Sequence, residues 1–232
     1  MIPLQMHEGA WADYRTQTMS GGKRRQGIMR VACLDRNHGS DDESWLMELI
    51  PLQENPDGTF TPLPGEGLRL RVSRSILQRQ GRLLDAVTEI VQWQDGVAHP
   101  TTVAEMRQDP LLATSLEDDF IPQEFEAGKP TTRVVQGRQY LCDQFVFSAA
   151  DTQTADLPAG RMIQFTRREV TAAVNSEIPF LGLAYAAERV RSESTLDPPS
   201  RRFSPPPAQV RVEIMELLAF GGGAKPVLPP SD

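Results

Sequence analysis

The sequence predicts a mainly β chain of the α+β class: one antiparallel sheet of about nine to eleven strands with few, short helices. Three observations predict it. Apolar and polar residues alternate in Leu68-Arg-Leu-Arg-Val72 and Val210-Arg-Val-Glu-Ile214, the period-two mark of half-buried strands. Turn residues recur at short intervals, as in Ser20-Gly21-Gly22 and Asn55-Pro-Asp-Gly58. The connections are too short for parallel crossovers, so neighbouring strands should pair antiparallel.

The elements follow in order. Residues 9–19 are rich in β-formers and lead through Ser20-Gly21-Gly22 into a second strand at 26–35, a hairpin signal. Residues 36–43 form a polar turn, and 45–52 read as the next strand. Residues 68–72 are a strand, 73–82 a short helix or an irregular bridge, and 84–93 strand-like again. Thr102 with Glu105 three positions on makes a capping box, predicting a helix over 102–108 that Asp109-Pro110 ends. Residues 111–120 read as a second helical turn and 120–130 as a polar linker. Long strand candidates cover 132–147, 160–174 and 183–195. The proline-rich stretch 196–208 cannot pair as a strand, because proline lacks the donor. A final strand follows at 210–214. The expected organisation is one domain over 1–220 and a flexible tail over 221–232.

Between two of the long strands lies Asn175-Ser-Glu-Ile-Pro-Phe-Leu-Gly-Leu-Ala-Tyr185. Pro179 removes a donor and Gly182 a side chain inside an apolar run, so the chain should bend or bulge there.

Composition bounds the function. The 232 residues carry a net charge of -7, which opposes non-specific nucleic-acid binding because that needs a basic face. No run of about 18 apolar residues exists to span a membrane. Met1-Ile-Pro-Leu-Gln lacks the basic start of a signal peptide. Cys33 and Cys142 are too far apart in sequence for a CxxC or metal knuckle. Each lies in an apolar segment, either as a buried thiol or in a disulfide worth about 4–5 kcal/mol in an oxidising compartment.

Four stretches together resemble the bacterial lipoprotein-carrier superfamily, the LolA/LolB-like proteins. They are Gly9-x-Trp11-x-x-Tyr14-Arg15; Glu43-Ser-Trp-Leu-Met-Glu48; Leu157-Pro-Ala-Gly-Arg161 leading to the 176–183 turn; and Glu213-Ile-Met-Glu-Leu217 with Phe220-Gly221. The resemblance implies a strongly curved half-barrel sheet with short helices across its concave face. It also implies a hollow holding acyl chains or another apolar ligand. The sequence departs from the pattern at Val174-Asn175, where many relatives carry tryptophan, and has no lipobox cysteine near Met1.

No catalytic, cofactor or metal constellation is legible. His7, His38 and His99 stand apart, and neither H-E-x-x-H nor Gly-x-Ser-x-Gly occurs. The acidic run 35–43 lacks the carboxylate that a calcium loop needs at its twelfth position, which is Leu46. Asp118-Asp119 reads as a solvated acidic pair, and Lys23-Arg24-Arg25 as a solubilising hairpin tip. Trp45, Phe145, Phe147, Phe165, Phe180 and Tyr185 are the candidate lining of an apolar cavity. The functional expectation is a non-enzymatic periplasmic or outer-membrane-associated binding or accessory protein. It would hold a hydrophobic or lipid ligand or an envelope protein partner. The alternatives are a hydrolase with a non-local active site and a structural subunit of an envelope assembly.

Overall fold

The computed structural model describes residues 6–37, 43–76, 84–108, 126–158, 160–180, 182–197 and 206–229. In chain order the elements are β1 (Trp11–Ser20), β2 (Lys23–Asn37), β3 (Ser44–Glu54), β4 (Phe60–Pro62), β5 (Gly67–Ser73), β6 (Val87–Gln94), β7 (Val97–Thr101), helix α1 (Val103–Gln108), β8 (Glu126–Ala127), β9 (Thr131–Val135), β10 (Arg138–Leu157), β11 (Gly160–Val174), β12 (Leu183–Asp197) and β13 (Gln209–Gly221). They form one open antiparallel sheet of 13 strands, two more than the top of the expected range. The order is β7-β6-β5-β3-β2-β1-β13-β12-β11-β10-β8, with β4 on β3 and β9 on β10. Pairing of β1 with β13 brings the two ends of the described chain together and joins two meanders into one sheet.

The hairpins follow their turn residues. Gly21 and Gly22 both have positive φ (+55° and +75°), as a two-residue turn whose twist matches its strands requires. The expected long strand at 132–147 is instead a hairpin. Gln136 and Gly137 take φ of +50° and +77° between β9 and β10, a turn hidden by the β-forming residues around it. The capping box holds: Glu105 N–H donates to Thr102 Oγ1 at 3.2 Å, and Thr102 N–H donates to Glu105 Oε2 at 2.9 Å. Of the expected turn at 36–43, Arg36 and Asn37 instead extend β2 and pair with Trp45 and Ser44, and 38–42 lie outside the described residues, as do the helical turn at 111–120 and most of the 120–130 linker.

Apolar residues pack on both faces of the sheet. The larger cluster takes Ala12 and Tyr14 of β1, Cys33 of β2, Trp45 and Met47 of β3, and Leu68, Leu70 and Val72 of β5. Ile178 and Phe180 of the β11–β12 turn and Tyr140 and Cys142 of β10 join it. Val103 of α1 packs against the same cluster. The smaller cluster uses side chains of opposite parity, Ile28, Ile50, Leu52, Val91 and Trp93, and is closed by Leu228. Residues 222–229 are therefore no free tail. Val227 N–H donates to Glu48 Oε2 at 2.9 Å, and Ala224 N–H donates to Gly9 O at 2.8 Å. Composition alone predicts mobility because Gly and Pro dominate this stretch; a single buried leucine and its backbone groups override it.

Cys33 and Cys142 are both free and buried within the larger cluster. Burial, and to a smaller degree the charges of Glu8 and Asp35, push the Cys33 thiol up to about 11. Burial also raises the Cys142 thiol.

Candidate functional site

Strand register decides which side chains share a face. Phe145 and Phe147 of β10 oppose Ala172 and Val170 of β11. Those oppose Ala186 and Glu188 of β12, which in turn oppose Met215 and Glu213 of β13. Met215 faces Thr16 of β1 and packs against the larger cluster, so the row shares the face that carries Tyr14 and Trp45. Where β3, β5 and β6 fill this face with Trp, Met, Leu and Ile, β10–β12 present Ala149, Ala172 and Ala186 beside the two half-buried phenylalanines.

The same face is charged further along. Glu188 is 3 % exposed and pairs with the Arg168 guanidinium. Arg211 lies 3.7 Å from the other Glu188 oxygen and 3.6 Å from Glu213. A carboxylate this buried would be costly alone, and two arginines against two glutamates leave the group neutral. Thr166 and Ser192 oppose one another at 3.4 Å next along the face. The face is thus apolar at its centre and polar at one end, not uniformly greasy.

The opposite face holds two more buried carboxylates. Asp13 accepts two hydrogen bonds from Arg30, at 2.7 and 2.8 Å, and the guanidinium lies 4.5 Å from the Trp11 ring centroid. Glu48, fully buried, pairs with Arg69 at 2.6 Å. Arg30 satisfies both Asp13 oxygens, whereas Arg69 donates twice to Glu48 Oε1 and the Val227 amide donates to Oε2, so neither carboxylate is left stripped of partners by burial.

The six aromatic candidates do not form one lining. Trp45 and Phe180, 7 % and 5 % exposed, are packed into the larger cluster. Tyr185 is half-buried beneath the Arg133 guanidinium, 4.0 Å from its ring centroid. Phe145 and Phe147 lie side by side on the face described above. Phe165 does not join them: it opposes Thr152 and Glu193, odd in β11 where Arg168 and Val170 are even, and it is 43 % exposed on the other face. Strand parity, which flips every second side chain, sets Phe165 on the face opposite Phe145 and Phe147.

Glu188, Arg168 and Arg211 were missed by the sequence reading. The adjacent charges Arg167-Arg168-Glu169 look like a blemish in a strand. In the sheet they alternate: Arg167 pairs with Glu169 at 2.9 Å on one side while Arg168 turns to Glu188 on the other. That alternation was the available signal. His7 and His99 are exposed, and His38 lies outside the described residues. Among the described residues, no group of three or more His, Cys, Asp or Glu is placed to hold a metal ion. No helix among them is long and apolar enough to cross a membrane.

The fold and this face define an open-sheet antiparallel β protein with an apolar patch bordered by buried ion pairs. No family model matches the chain, and no curated protein matches it. A solved structure of a candidate exported protein with a YmcC-like fold, from Bacteroides fragilis, is similar over 94 % of this chain and 98 % of its own. Its identity is 11 % and its TM-score 0.26, and a likeness this loose carries neither ancestry nor function. The lipoprotein-carrier resemblance therefore rests on the quoted residues alone.

Proposed function

We propose that this chain is a non-enzymatic binding or accessory protein of the bacterial envelope, holding an apolar, lipid-like molecule against Phe145 and Phe147. One observation carries the reading. An otherwise well-filled sheet face changes, at β10–β12, to Ala172 and Ala186 in register with Phe145, whose half-buried ring neighbours that of Phe147. Small side chains next to half-buried aromatic rings suit contact with an apolar ligand. The Arg168, Arg211, Glu188 and Glu213 group at the edge of the patch supplies donors and acceptors for a polar head. Envelope localisation, periplasmic or at the outer membrane, belongs to the same proposal and follows the lipoprotein-carrier resemblance.

The test is native mass spectrometry and solvent extraction of protein recovered from bacterial envelopes, followed by titration with a fluorescent fatty-acid probe. The expected result is a co-purifying lipid mass and probe binding that Ala172→Leu weakens at least tenfold. Absence of any bound hydrophobe, with no probe binding to the wild-type chain, overturns the reading.

A further inference from the structure

We propose that the outer edge of β10 is a dimer interface, pairing antiparallel with the same strand of a second copy about a two-fold axis at Thr152. The sheet ends on this side with β10, and β8 pairs with it only at Phe145 and Val146. Among the described residues no strand pairs with the outer side of 148–156, and every one of those residues is exposed. A row of backbone donors and acceptors of this length is a template for another strand.

The direction of those groups is fixed. Gly128 N–H donates to Gln144 O at 2.8 Å, so the even residues of β10 point their backbone groups outward. The β10–β11 register has no bulge through Leu157 and Gly160, so Ser148, Ala150, Thr152, Thr154 and Asp156 all offer both groups outward.

The sequence of this edge is self-complementary. Centring an antiparallel pair on Thr152 sets Ser148 against Asp156, Ala149 against Ala155, Ala150 against Thr154, Asp151 against Gln153, and Thr152 against itself. No like charges stand directly opposite one another, and each outward residue exchanges both hydrogen bonds with its mate. Asp151 already accepts a bond from Gln153 within one chain at 3.2 Å, and Asp156 is neutralised by Arg161 at 3.2 Å. Two devices that blunt edges, lysine and proline, do not occur in this stretch. Residues 148–157 contain no Lys, Arg or Pro, whereas the opposite edge, β7, is five residues long and carries Pro100. An edge left open at one end of the sheet and blocked at the other points to a specific mate rather than to a general tolerance of exposure.

The experiment compares the full chain with Thr152→Pro, Thr152→Lys and Thr152→Cys by light scattering and sedimentation. Thr152→Pro deletes an outward N–H and leaves the β10–β11 ladder intact, so its far-UV spectrum should match the wild type. The wild type is expected to show twice the mass of the monomer at high concentration. The Pro and Lys variants should weaken association at least tenfold. Hydrogen-bonded antiparallel partners stand about 5.5 Å apart at Cα, within the disulfide range of about 4.4–6.8 Å. Thr152→Cys should therefore cross-link to its mate under mild oxidation and Ser148→Cys should not, with the native thiols buried out of reach. A chain that stays monomeric at millimolar concentration, or a dimer untouched by both the Pro and Lys variants with no Thr152→Cys cross-link, overturns the proposal.

Discussion

Glu48 and Arg69 face one another across β3 and β5, and the guanidinium that pairs with the carboxylate also donates to the carbonyl oxygens of Leu228 and Pro229, at 2.7 and 2.9 Å. One buried ion pair thus holds the C-terminal strap against the sheet. The carboxylate completes the clamp by accepting the Val227 amide. Arg69→Ala should cost about 3–5 kcal/mol in urea unfolding, because it leaves a fully buried carboxylate unpaired. Hydrogen exchange at Val227 should accelerate in the same variant. Arg69→Lys keeps the charge but loses the fork, and should recover only part of the loss. A loss under about 0.5 kcal/mol for Arg69→Ala would show that the strap is not anchored this way.

The turn between β11 and β12 depends on a glycine for backbone reasons. Gly182 has φ of +68°, and a Cβ there would meet Asn175 O at 2.9 Å. Gly182 O also accepts the Asn175 amide at 2.8 Å, closing the turn that buries Ile178 and Phe180. Gly182→Ala should destabilise the chain by about 1–3 kcal/mol. Ile178→Ala, which empties a fully buried site, should cost about 2–5 kcal/mol. Thermal unfolding of both variants checks the ranking; Gly182→Ala matching wild type would contradict the strain.

Stability should decline on the alkaline side. The Cys33 thiol, ordinarily near 9.0, is raised to about 11 in the folded chain, chiefly by burial. Between those values the unfolded chain has lost the proton and the folded chain keeps it. The stabilisation is therefore whole below about pH 9 and is lost as pH rises toward 11. Burial raises the Tyr14 phenol as well, so the decline continues above its ordinary 10.0. Urea midpoints measured across this range should fall, and Cys33→Ala should flatten the first part of the fall. A profile for Cys33→Ala parallel to wild type would assign the alkaline loss to other groups.

Ligand binding should distinguish the two faces. Phe147→Asp should abolish binding of an apolar probe, while Phe165→Ala, on the opposite face, should leave it within twofold of wild type. Equal losses in both variants would argue against the β10–β12 patch as the binding surface.

Much of the architecture is written locally. The Gly21-Gly22 turn, the Thr102–Glu105 box and the alternation in Leu68-Arg-Leu-Arg-Val72 each act over a few residues, so each could be read without the fold. The β9–β10 turn escaped because Gln136 reaches positive φ without an Asn or Asp to announce it. The candidate patch was only half legible. Aromatic identity marks Phe145, Phe147 and Phe165 alike, but register alone decides which of them share a face.

The sequence by itself determined that this chain forms an antiparallel β-sheet with a bent Ile178-Pro179 turn, since alternation and backbone preference are properties of neighbouring residues. Only the tertiary structure decided that Arg168 and Arg211 converge on Glu188, and that Leu228 closes a second core beside Glu48 and Arg69. Those partners are far apart along the chain. Their meeting depends on the pairing of β1 with β13 and on the parity of each strand, and neither is encoded in any short stretch of residues.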